Sequence, residues 1–175
     1  MKVLVVVDMQ KDFTTGVLGN PETAAVVGPV AEKIRAFRES EPDGLIVATL
    51  DTHTEAYMET QEGKNLPVPH CIKGTDGWQL DAAVAEALGD NARLTEKVTF
   101  GAVHLPEVIG KEQDITEIQL IGVCTDICVI SNAMILKAAF PEVPVVVYAD
   151  CCAGVTPESH ENALAAMRAC QIITQ

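Results

Sequence analysis

The chain is poor in aromatic residues, poor in basic residues and free of long apolar runs. Phe, Trp and Tyr make up only 4% of its 175 residues, so any ring near a polar cluster is worth weighing as a binding surface. Twelve Lys and Arg face 25 Asp and Glu, for a net charge of −13. That balance argues against nucleic acid and anionic membrane as partners, and leaves small ligands open. No stretch approaches the roughly 20 apolar residues of a membrane-spanning helix. The opening run Val3 to Val7 is cut short by Asp8 and no small-residue cleavage site follows, so the expected compartment is the cytoplasm. The six cysteines contain no Cys-x-x-Cys pair, which weakens zinc-ribbon and thioredoxin readings. No Gly-x-Gly-x-x-Gly follows the first strand, so the dinucleotide fingerprint is absent.

What is present is a well-supplied core. Hydrophobic residues are 48% and charged residues 21%, which suits one folded domain spanning 1–175. Strand and helix patterns alternate. β-Branched or apolar runs predict strands at 3–7, 45–50, 93–98, 115–121 and 143–148, with a short last one near 171–174. Helical spacing follows Asn20-Pro21, covers 78–88 up to Gly89 and 105–109, resumes after Cys128, and returns after Thr156-Pro157. Residues 51–77 read as one long loop, a length usually tied to function. The alternation predicts an α/β fold: a doubly wound, Rossmann-like three-layer sandwich around a mainly parallel sheet of about six strands. Ligands in such sheets bind outside the carboxyl ends of the strands.

That rule picks out candidate residues. Asp8 ends the first predicted strand, Asp51 the second, Lys97 the third and Asp150 the fifth. Cys128 lies just past the fourth, in Gly122-Val123-Cys124-Thr125-Asp126-Ile127-Cys128, where a strand hands over to a helix. Unpaired N–H groups and the helix dipole there are expected to lower a thiol pKa. Taken singly, Asp8 is an ordinary turn acid, Lys97 a solvated lysine and Cys128 a small core residue. Together at one sheet edge they supply a nucleophile, a proton acceptor in Asp8 and a charge-balancing cation in Lys97. Backbone N–H groups of Cys124 and Cys128 are candidate oxyanion donors.

A second constellation is Asp51-Thr52-His53 followed by His70, which Pro67 and Pro69 stiffen. Two imidazoles and a carboxylate form a common divalent-metal set. Glu62 is a further oxygen ligand, with Glu55 and Glu59 as competitors. Phe13 and Trp78 are core residues or substrate-pocket walls. His160, at a helix start, reads as a structural hydrogen-bonder, and Cys71, Cys151, Cys152 and Cys170 as packing thiols.

In this order, Asp8-Met9-Gln10-Lys11-Asp12-Phe13, Asp51-x-His53, Pro69-His70-Cys71, Glu96-Lys97 and Gly122 to Val129 resemble the isochorismatase-like cysteine hydrolases, in their nicotinamidase branch. The resemblance implies a catalytic triad of Asp8, Lys97 and Cys128. It implies a divalent metal held by Asp51, His53, His70 and Glu62, zinc first, with manganese or iron as alternatives. It also implies a cis peptide at Val123–Cys124 that turns an N–H into the oxyanion hole. The implied reaction is hydrolysis of a small carboxamide, nicotinamide above all, through a thioester; a different amide or ureido substrate is the alternative, and a non-catalytic binding protein with the same fold is a third reading that the intact triad set argues against. A homo-oligomer, dimer or tetramer, is implied as well. Thr52 stands where many nicotinamidases carry Trp, which removes one aromatic wall. Isochorismatases in the strict sense lack the nucleophilic Cys, so Cys128 argues against that activity.

Overall fold

Two hydrophobic layers sandwich one parallel sheet. The structure, a computed structural model, describes residues 1–110 and 114–175. Six strands, β1 (Lys2–Val7), β2 (Leu45–Asp51), β3 (Arg93–Lys97), β4 (Glu117–Val123), β5 (Val145–Ala153) and β6 (Ile173–Thr174), lie in the order β3-β2-β1-β4-β5-β6. Every strand pairing is parallel. Eight helices connect them: α1 (Lys11–Thr14), α2 (Pro21–Ala25), α3 (Val27–Ser40), α4 (Gln61–Asn65), α5 (Ala82–Leu88), α6 (Leu105–Ile109), α7 (Ile130–Ala139) and α8 (Pro157–Ala169).

Strand periodicity explains the layers. Val3, Val5 and Val7 of β1 pack with Leu105, Ile109, Leu136 and Met167, the buried faces of α6, α7 and α8. Leu4 and Val6 point the other way, onto Val30, Ile34 and Phe37 of α3 and Val84 and Leu88 of α5. Both faces of the sheet are therefore covered, as a doubly wound fold requires. At the starts of α2 and α8 a side chain caps the helix. Asn20 accepts the Thr23 N–H at 2.7 Å, and Thr156 accepts the Ser159 N–H at 3.1 Å.

The strand order changes its direction of progress between β1 and β4, which makes the gap beyond their carboxyl ends the expected ligand crevice. Gly122 lets these two strands meet there. Its φ is +118°, and a Cβ on it would lie 2.2 Å from the Val7 carbonyl oxygen. Any side chain would push β4 off β1.

Three expected boundaries move. The helix predicted from Trp78 begins only at Ala82, because Gln79 and Leu80 are engaged with residues 10 and 11 and Asp81 caps the helix. The predicted loop 51–77 contains a 3-10 turn at Tyr57–Glu59 and α4. Asp150 does not end the fifth strand. A register shift between Leu120 and Gly122 carries β5 on to Ala153, and leaves Asp150 exposed within it.

Candidate active site

Asp8 leaves β1 in a left-handed conformation, φ 47°, with its carboxylate fully buried. Thr49 on β2 donates its hydroxyl to Asp8 Oδ1 at 2.6 Å. Lys97, at the end of β3, reaches across β2 so that its Nζ lies 2.7 Å from Asp8 Oδ2 and 3.1 Å from Asp51 Oδ1. The same Nζ donates to the Thr99 carbonyl at 3.0 Å and lies 3.6 Å from Cys128 Sγ. One ammonium thus touches both carboxylates and the thiol.

Cys128 arrives on a π-helical turn, Thr125–Val129, directly after β4. The Val123–Cys124 peptide is cis. The Cys124 carbonyl accepts from Ile127 at 3.1 Å and Val129 at 3.0 Å, which closes the turn. Asn132 fixes it from one side, donating to the Cys128 carbonyl at 2.8 Å and accepting from the Ala102 N–H at 2.9 Å.

Electrostatics correct one expectation. Burial pushes the Cys128 thiol well above its ordinary pKa, and the Asp8 charge adds to this against the opposing pull of Lys97. The helix-start argument for a lowered pKa omitted that burial. Burial also raises Asp8, though Lys97 opposes it. Burial by itself would lower the Lys97 pKa, but Asp8, Cys128 and Asp51 outweigh it and hold the ammonium charged. The Cys124 thiol is likewise pushed up by burial, to about 12.

Beside this set, Asp51, His53, Glu62 and His70 turn one ligand atom each toward a common point, all within 4.8 Å of one another. His53 Nε2 lies 3.0 Å from Asp51 Oδ2 and 3.6 Å from Glu62 Oε1; His70 Nε2 lies 3.4 and 3.6 Å from the same two atoms. Donors at about 2.1 Å from a tetrahedral ion stand about 3.4 Å apart, so this set fits a divalent cation. His70 Nδ1 lies 2.8 Å from the Val68 carbonyl, a contact that leaves Nε2 as the ligand atom. Burial opposes a carboxylate charge on Asp51, yet hydrogen bonds from both imidazoles hold it below the usual carboxylate range. Glu55 and Glu59 are exposed, which settles their competition with Glu62.

A cavity of about 220 Å³ opens between the two clusters, bordered by Cys124 and Cys128 on one side and Asp51, Glu62 and His70 on the other. Its remaining walls are mostly apolar, among them Phe13, Leu18, Leu66 and Phe100.

Residues 2–175 match the isochorismatase domain model. The chain belongs to the isochorismatase family. It is 30% identical, over 93% of its length and 92% of the relative's, to the isochorismatase family protein PncA of Bacillus subtilis. It superposes on the crystal structure of nicotinamidase PncA from Bacillus subtilis with a TM-score of 0.84 at 27% identity, covering 99% of this chain and 98% of that one. On the pyrazinamidase of Pyrococcus horikoshii in complex with zinc the TM-score is 0.80, again at 27% identity, over 99% and 98% of the two chains.

Within this isochorismatase-family fold, the two expected constellations are brought together around one cavity. Phe13 lines it and packs edge-on to His70, with 5.5 Å between ring centroids. Trp78 does not line it. Its indole donates instead to Thr52 Oγ1 at 2.9 Å, on the far side of the Asp51–His53 segment, and its ring borders a separate cavity with Leu50 and Leu94. Two participants went unmarked in the sequence. Thr49 is a hydroxyl in an otherwise apolar strand, set opposite Val7 by register. Tyr57 packs edge-on to His53 at 4.8 Å and His70 at 5.0 Å; the scarcity of rings was the signal for it. Among the described residues, no helix is long and apolar enough to cross a membrane.

Proposed function

We propose that this chain is a cysteine amidohydrolase that converts a small neutral carboxamide, nicotinamide first, to the carboxylate and ammonia. The observation that carries this is the single Lys97 ammonium bridging Asp8, Asp51 and Cys128 at the wall of a small cavity. Cys128 Sγ attacks the amide carbonyl carbon as Asp8 takes the thiol proton. The oxygen gathers negative charge and accepts hydrogen bonds from the N–H groups of Cys124 and Cys128. The C–N bond breaks and the proton on Asp8 leaves with ammonia. Asp8 then deprotonates a water that attacks the thioester; the C–S bond breaks, Asp8 returns that proton to the Cys128 sulfur, and the acid leaves as the carboxylate after releasing its own proton to solvent. Lys97 stays charged throughout and balances Asp8.

Asp51, His53, Glu62 and His70 would hold a divalent ion, zinc before manganese or iron, that supplies a Lewis-acid contact to orient the substrate ring. Nicotinamidase and pyrazinamidase names among the relatives support a ring amide. So does the cavity itself. At about 220 Å³ it is below the roughly 300–1,000 Å³ of drug-sized sites. Among the described residues no Lys or Arg lines it, and Lys97 beside Cys128 is already paired with two carboxylates, so it offers no free side-chain counter-charge to a carboxylate-bearing ureido acid. The second reading, another neutral amide, draws on Thr52, which gives no aromatic wall.

Ammonia release from nicotinamide tests the proposal, with Cys128→Ala as the blank. Turnover well above the blank is expected. Turnover equal to it, for nicotinamide and for a panel of neutral amides alike, sinks the reading.

A further inference from the structure

Asn132 fixes the nucleophile turn on one side, as described. On the other side the turn is held by the start of α8, through residues that no step above uses. Thr125, the first residue of the turn, is fully buried, and its Oγ1 lies 2.8 Å from His160 Nδ1. Asp126, the next residue, accepts the Val155 N–H at 3.1 Å. Gly154 is pressed between the two contacts. A Cβ on it would lie 3.0 Å from His160 and 3.1 Å from Asp126 Oδ1. Val155 and Ile127, one from each segment, both border the cavity. The segment 154–160 and the turn 125–129 are therefore one hydrogen-bonded unit, and among the described residues the bond that joins a side chain of one to a side chain of the other is Thr125 to His160.

We propose that His160 is a positioning residue for Cys128. It touches neither substrate nor thiol. It holds the first residue of the turn, and the turn sets where Sγ sits against Lys97, at 3.6 Å, and against the cavity. A thiol displaced by a fraction of an ångström still admits substrate but meets the carbonyl badly. The loss therefore falls on kcat rather than KM. The inference rests on Cys128 being the nucleophile.

The test compares His160→Leu, His160→Asn, Thr125→Val and the His160→Leu/Thr125→Val double variant, by steady-state kinetics on the amide that the wild type turns over. His160→Leu should lose about 10- to 100-fold in kcat with KM changed less than about twofold. Asn carries a polar atom close to where His160 holds Nδ1, and should restore most of the rate. Thr125→Val should match His160→Leu, and the double variant should lose no more than either one, because all three break one bond. Wild-type kcat in His160→Leu, a loss carried by KM, no rescue by Asn, or losses that multiply would each overturn the assignment. Melting curves run beside the kinetics; if neither single variant folds, the bond serves the fold and the proposal fails. Should the wild type match Cys128→Ala on every amide, the functional reading has failed instead. The alkylation rate of Cys128 by iodoacetamide then decides for His160: a changed rate in His160→Leu with recovery in His160→Asn supports it, and equal rates overturn it.

Discussion

The two clusters that flank the cavity are built on opposite principles. Around Lys97, the charges are closed on themselves: an ammonium 2.7 Å from Asp8 and 3.1 Å from Asp51. Around His53 and His70, two carboxylates and two imidazoles converge with their acceptor atoms inward. The first cluster is complete as a set of side chains; the second has the donors to hold a cation. Asp51 belongs to both, with Oδ1 on Lys97 and Oδ2 on the imidazoles. The difference teaches that chemistry and orientation are separable here, and that Asp51 is where they meet.

The comparison breaks most sharply at Cys128. Cys128→Ala should lose roughly 10⁴-fold or more in turnover. Metal content by elemental analysis should stay as in the wild type, since no metal donor is touched; a coupled loss of metal would refute the separation. Lys97→Met comes next. It leaves two buried carboxylates facing each other, at a cost of about 3–5 kcal/mol in urea unfolding at neutral pH. Asp8, already raised by burial, would then hold its proton to higher pH. The deficit should shrink as pH falls through that raised titration, because the penalty belongs to the charged form.

On the orienting side, His70→Ala should weaken zinc binding at least about 100-fold by competition with a chelator. Cys128 alkylation should change far less than zinc affinity does. Zinc affinity equal to the wild type, or purified protein that binds no divalent ion when supplied with one, would remove the second cluster from the account. The smallest effect is expected from Thr49→Val, which removes the hydroxyl from Asp8. A hydrogen bond to a charged group contributes about 1.5–3 kcal/mol, and its loss should move the acid limb of kcat/KM to higher pH. In the wild type that limb should already lie above the ordinary carboxylate range of about 4, because burial raises Asp8. An unmoved limb would mean that Asp8 is not the group it reports.

Much of this was legible in the chain because a parallel sheet aligns its strand ends. Asp8, Asp51 and Lys97 sit at ends that simple apolar runs locate, and Cys128 follows the fourth such run. Contacts set by register were not legible. Thr49 meets Asp8 only because β1 pairs with β2 as it does. Asp150 misled for the matching reason: a bulge lengthens β5 with no breaker residue to announce it. Trp78 misled because a ring's sequence position does not say which side of a loop it covers. The thiol pKa was read with the wrong sign because a turn's dipole is local, whereas burial and the Asp8 charge come from distant elements.

The close approach at Gly122 has a consequence for how this protein fails under heat. Asp8 and Cys128, the proposed base and nucleophile, follow the two strands that meet there, β1 and β4, whose pairing runs unbroken from Lys2–Glu117 to Val7–Gly122. A slip of one residue would shift them by about 3.3 Å, more than the 2.7 Å that separates Lys97 Nζ from Asp8 Oδ2. Central strands open only with the whole domain. Thermal inactivation should therefore coincide with global unfolding, and residual activity should serve as a direct count of molecules whose sheet is intact.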